Sequence, residues 1–147
     1  MKKIILVVVS MMLLLTAVLC SCGETEYTPT VTAPAYAQPI TEAMLQALSQ
    51  GDYQGYCLFI TPNMSSRTTE EIWGYFKDFY KARIGDFISL QLYDVVVETA
   101  STTVIYWAKY SKADKVTITI VFVPVPSGDA MVVDVLTLDS PELRATS

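Results

Sequence analysis

Two carboxylates and three phenols are the side chains in this sequence best suited to proton chemistry. Asp94 and Asp134 fall inside runs of strand-forming residues, and Tyr93, Tyr106 and Tyr110 lie nearby. A carboxyl turned into an apolar interior is driven toward its neutral form and can act as a base, while phenols donate to a developing oxyanion. Strand carboxylates more often face solvent or an edge, so the set permits such chemistry without requiring it. Metal chemistry has less to work with, since the chain has no His, 3 Cys and no carboxylate spacing of a calcium loop. No cofactor and no metal are expected.

The cysteines carry a sharper signal. Met1-Lys2-Lys3 is a short basic start, and Ile4 to Leu19 is an apolar run of 16 residues. As a helix that run spans about 24 Å, short of a bilayer core of about 30 Å, which fits a leader better than a permanent span. It ends in Leu19-Cys20-Ser21-Cys22-Gly23. The ending resembles the bacterial lipobox, with Leu19 at −3, Ser21 at −1 and Cys22 as the residue whose thiol takes the diacylglycerol. Cys20 would have the bulky Leu19 at −1. Residues 1–21 are therefore expected to be a signal peptide and Cys22 the lipidation site. Two or three acyl chains make such an anchor effectively permanent. Cys57 is then the remaining free thiol; it sits in the apolar stretch Tyr56-Cys57-Leu58-Phe59 and is expected in the core.

Charge narrows the partners. The net charge is −5, and without Lys2 and Lys3 the remaining 8 basic residues face 15 acidic ones, a balance of −7. An acidic chain with no basic cluster in sequence repels phosphate backbones, so nucleic acid is not an expected partner.

These residues must be positioned by one small domain. Residues 22–34 are rich in Thr and Pro, follow no hydrophobic period and read as a tether. The period then becomes helical: a helix is predicted over about Pro39 to Ser49, a short one over Tyr53 to Phe59, and a third opening on a capping box of Thr68 and Glu71. Thr61-Pro62-Asn63 reads as a break. From Phe87 the period is two, giving strands over about Phe87–Glu98, Thr102–Tyr110, Lys115–Val123 and Ala130–Leu138. Short connections make them an antiparallel meander. The fold class expected is α+β, three N-terminal helices packed on a curved four-stranded antiparallel sheet over residues 35–140, with 141–147 as a tail.

The order of elements resembles the cone-shaped nuclear-transport-factor-2-like superfamily, and more narrowly a bacterial lipoprotein domain of unknown function. The resembling stretches are Leu48-Ser49-Gln50-Gly51-Asp52-Tyr53, Phe59-Ile60-Thr61-Pro62-Asn63-Met64, Ile84-Gly85-Asp86-Phe87, Val104 to Tyr110 and Val116 to Phe122. They are mainly packing and turn residues. The resemblance implies a fold; it transfers no catalytic residue, because no motif for one is matched.

Two surfaces follow. Ile105 and Trp107 on the second strand and Val121 and Val123 on the third are expected to point away from the helices, giving the sheet a second apolar face that a homodimer or a protein partner would cover. Tyr53, Tyr56, Phe76, Phe79, Tyr106 and Tyr110 are candidates to line a pocket for a small apolar ligand. The reading as a whole is a bacterial extracytoplasmic protein, lipid-anchored to the cell membrane or envelope, with a non-enzymatic ligand- or partner-binding domain. The alternative is an isomerase-type enzyme using an Asp/Tyr pocket inside the cone.

Overall fold

The computed structural model describes residues 32–126 and 128–145. The leader, Cys22 and most of the tether lie outside the described residues. Those described form five helices and four strands in an α+β arrangement.

Helix α1, Ala37–Gln50, buries Ala37, Thr41, Met44, Leu45, Ala47 and Leu48, the three-to-four spacing of one face. It starts two residues before Pro39, which the first turn tolerates because a proline there removes no helical hydrogen bond. Gly51, at φ 80°, ends it, and Asp52 N–H donates back to Ala47 O at 2.9 Å. Helix α2, Tyr53–Cys57, is capped by Asp52, whose carboxylate accepts from Gly55 N–H at 2.9 Å.

The expected break at Thr61-Pro62-Asn63 is instead the start of helix α3, Pro62–Arg67. Thr61 Oγ1 accepts from Met64 N–H at 3.0 Å and Pro62 occupies the first turn, where its fixed φ suits a helix. Four helices rather than three therefore precede the sheet. The extra helix also displaces the predicted capping box: Thr68 closes α3, and Thr69 caps helix α4, Glu70–Arg83, accepting from Ile72 N–H at 3.4 Å.

Strands β1 (Phe87–Val97), β2 (Thr102–Tyr110), β3 (Ala113–Pro124) and β4 (Met131–Asp139) pair antiparallel in the order β1-β2-β3-β4. Residues Ile88 and Tyr93 on β1 and Asp134 on β4 have no partner in the register, marking bulges. Beyond β4, Ile60 bridges Val133 in parallel, with Thr61 N–H donating to Val133 O at 2.9 Å and Val133 N–H to Phe59 O at 2.7 Å. The chain closes with α5, Pro141–Arg144, one turn capped by Ser140, with Leu143 packed on the core.

The core lies between α1 and the inner sheet face. Val104, Tyr106, Ala108 and Tyr110 of β2 and Val116, Ile118, Ile120 and Phe122 of β3 are all buried. Each aliphatic side chain so removed from water contributes about 1.5–3 kcal/mol. The corner between α4 and β1 is tied to the β2–β3 hairpin: Lys112 N–H donates to Ile84 O at 2.9 Å and Ser111 N–H to Asp86 O at 2.8 Å. Gly85 sits in that corner at φ 82°, and a Cβ on it would meet Ser111 Oγ.

Candidate functional site

The two predicted surfaces fare differently. Because β2 alternates, burying Val104, Tyr106, Ala108 and Tyr110 on the helix side turns Ile105, Trp107 and Lys109 outward. The register sets Trp107 between Gln91 and Thr117, and Ile105 between Asp94 and Thr119. Val121 lies between Thr103 and Val135, and Val123 beside Val132. Ile105, Trp107, Val121 and Val123 thus share the face away from the helices, each half-buried by its neighbours. Threonines interleave with them, so the face is amphipathic rather than continuous hydrocarbon.

Trp107 is held from both sides of β2. Tyr93, the bulged residue of β1, stacks on it with ring centres 4.4 Å apart and 27° between planes. Lys115, from β3, sets its Nζ 3.6 Å from the centre of the same ring, a cation–π contact. Beside this stack Ser89, Gln91, Trp107, Ala108, Lys109, Asp114 and Lys115 line an open groove of about 340 Å³. Lys109 and Asp114 pair across it at 3.5 Å. Sequence reasoning identified Trp107 but missed Ser89, Gln91, Asp114 and Lys115. The alternation that placed Trp107 outward also places Gln91 and Lys109 there, but it gives no hint of which cross-strand neighbours close a groove.

The predicted pocket does not assemble as one group. Tyr56, Tyr106 and Tyr110 are buried, and Tyr53 is half-buried with its hydroxyl donating to Thr68 O at 2.9 Å. Phe76 and Phe79 both pack against Tyr80 but remain 47% and 41% exposed. They flank the tyrosine cluster instead of closing a pocket with it. The reason is helical angle: Trp73 and Tyr80, followed by Ile84 at the cap, share the stripe of α4 nearest the core, while Phe76 and Phe79 lie to one side. Next to Tyr110 the free space is about 10 Å³, at the lower limit for one water.

The interior phenols are strongly perturbed. Burial holds the hydroxyls of Tyr56 and Tyr110 well above the usual range, with the neighbouring Tyr80 adding to both. Burial also pushes Tyr106 up to about 12, although the nearby Thr41 restrains it. Thr41 Oγ1 donates to Ala37 O at 2.7 Å, which commits its proton. Tyr106 Oη, Tyr110 Oη and Trp73 Nε1 are buried and have no hydrogen-bond partner among the described residues.

Neither candidate carboxylate lies among these phenols. Asp94, half-buried opposite Ile105, accepts from Val95 N–H at 2.8 Å. Asp134 accepts from Thr61 Oγ1 at 2.7 Å at the β4 edge. Cys57, expected in the core, is only half-buried. Its side chain packs against the edge of the core, beside the half-buried Tyr53.

Among the described residues, no group of three or more His, Cys, Asp or Glu could hold a metal ion. Among the same residues no helix is long and apolar enough to cross a membrane. Comparison with family models, curated proteins and solved structures returns no match to this chain.

Proposed function

We propose that this is an extracytoplasmic lipoprotein, anchored through a lipid on Cys22, whose domain binds a partner or ligand rather than transforming one. The observation that carries the binding half is the outer sheet face, where Ile105, Trp107, Val121 and Val123 spread over two central strands beside an open groove. The interior supports the same reading: its perturbed groups are phenols, and Asp94 and Asp134 are each engaged elsewhere. A second copy of the chain, packed over Ile105, Val121 and Val123 and leaving the groove at Trp107 open, is the simplest cover for the apolar part of that face. The reading takes the sheet as curved, as in the nuclear-transport-factor-2-like superfamily, and the bulges at Tyr93 and Asp134 support this because each bends its strand.

The anchor and the face are tested separately. Cys22→Ala should block both leader cleavage and palmitate incorporation; labelling that persists in this variant removes the anchor. Ile105→Lys and Val121→Lys should leave the urea midpoint nearly unchanged, since both side chains are half-exposed, yet abolish self-association of the detergent-solubilised chain in light scattering. A wild-type chain that stays monomeric, and captures nothing that these variants lose, removes the face.

A further inference from the structure

The groove beside Trp107 combines features that the rest of the outer face lacks. It has an aromatic ring, an amide from Gln91, a hydroxyl from Ser89, a carboxylate from Asp114 and ammonium groups from Lys109 and Lys115. A pyranose ring asks for this mixture: its C–H face packs on an aromatic plane while its ring of hydroxyls needs donors and acceptors on several sides. The groove's volume of about 340 Å³ accommodates a sugar unit or two.

Charge gives an independent indication of which sugar. Although the chain is acidic, seven of the eight basic residues beyond the leader lie at this end of the domain, interleaved with Asp78, Asp86, Asp114, Asp139 and Glu142, so the unpaired cations among them are what matters. Lys77 and Lys81 border Tyr110 and Gly85. Lys112 donates to the carbonyls of Lys81 and Ala82. Arg83 reaches the carbonyls of Glu142 and Ala145, and Arg144 pairs with Asp139, itself opposite Thr117. Lys109 and Lys115 stand in the groove itself. Only Arg67, at the end of α3, lies apart. The chain enters the domain at the other end, where Tyr36 meets Phe122.

Most of these cations are already neutralised. Lys77, Lys81, Lys109 and Arg144 pair with Asp78, Asp86, Asp114 and Asp139. Lys115 has no carboxylate partner among the described residues and rests on the Trp107 ring. A cation parked on an aromatic face is available to a stronger acceptor, and when it swings to meet one it uncovers the ring.

We propose that this groove binds an anionic sugar unit, with Lys115 receiving its carboxylate, Trp107 its C–H face, and Gln91, Ser89 and Asp114 its hydroxyls. The proposal rests on the outer face being a recognition surface and is independent of the anchor. The test uses the detergent-solubilised full chain, with tryptophan fluorescence as readout and digalacturonate as probe. Digalacturonate should produce a saturable change, its dimethyl ester should bind at least fivefold more weakly, and inorganic phosphate alone should not saturate. Lys115→Met, which removes the charge but keeps a flexible stem of similar bulk, should weaken digalacturonate at least fivefold and abolish the preference over the ester. Equal binding of acid and ester, equal binding by phosphate, or no saturable change with digalacturonate overturns the proposal. Arg67→Ala, at the end of α3 and away from the groove, should leave digalacturonate binding intact, and a wild-type chain that binds digalacturonate but stays monomeric would remove self-association while leaving the sugar site standing.

Discussion

Thr61 and Asp134 join the helical layer to the sheet edge through one hydroxyl. Thr61 Oγ1 donates to Asp134 Oδ1 at 2.7 Å while accepting from Met64 N–H at 3.0 Å. The same side chain thus caps α3 and occupies the carboxylate at the bulge of β4. This explains why Asp134, a plausible base on sequence grounds, has a structural task at the edge.

Thr61→Val removes the cap and the side-chain bond together while keeping the shape. A lost cap costs about 1 kcal/mol and a lost bond to a charged group about 1.5–3 kcal/mol, so a destabilisation of about 2 kcal/mol is expected after partial solvation of the exposed side. Asp134→Asn retains an acceptor and should cost less than half as much. Urea denaturation of both variants checks the ranking, which a larger loss in Asp134→Asn would reverse.

Tyr110→Phe should stabilise the protein. Its hydroxyl is buried with no partner among the described residues, and such a group costs about 1–3 kcal/mol relative to hydration. Removing the oxygen from a ring only 3% exposed leaves the packing intact, so a gain of about 1 kcal/mol is expected. A loss in the urea midpoint would mean that the hydroxyl is satisfied in solution, by a water in the small space beside it.

Stability should fall at alkaline pH. Tyr56, Tyr80, Tyr106 and Tyr110 are all raised by burial, whereas in the unfolded chain they titrate near 10. The folded state therefore favours the neutral phenols. Their contribution is fully present below about pH 10 and is lost as pH rises through the higher folded values. Urea midpoints should be level across neutral pH and drop between about pH 10 and 12, as these buried phenols ionise only with unfolding. A midpoint indifferent to that range would show that the phenols reach water.

Gly85→Ala tests the corner between α4 and β1. At φ 82° a Cβ is strained, and this one would overlap Ser111 Oγ. A loss of about 2 kcal/mol is expected, more than for Gly74→Ala, where a Cβ meets nothing within 4 Å and helix propensity improves. Thermal melts of the pair give the contrast directly.

The strand half of the fold was legible because alternation is a strong local signal: β2 begins and ends at Thr102 and Tyr110, as the period predicts. The helical half was blurred at Thr61 to Thr69. Thr61, Thr68 and Thr69 are chemically near-equivalent caps, and the choice among them depends on α3, which Pro62 disguised as a break. Likewise the buried fates of Tyr106 and Tyr110 follow from strand parity, whereas the separation of Phe76 and Phe79 from them depends on how α4 is rotated. The groove was least legible, since Tyr93 reaches Trp107 only through a bulge and Lys115 only across a diagonal.

The bridge between Ile60 and Val133 has a further consequence for how the chain survives at high concentration. With Phe59 O and Thr61 N–H bonded to Val133, the outer rim of β4 is occupied just where it could recruit a foreign strand. The opposite rim, β1, is long, but bulges at Ile88 and Tyr93 interrupt the even spacing that a growing fibril needs as its template. A rim of β-branched residues is a template for pairing with other chains wherever it is left bare, and weakening the Ile60 bridge would bare more of β4.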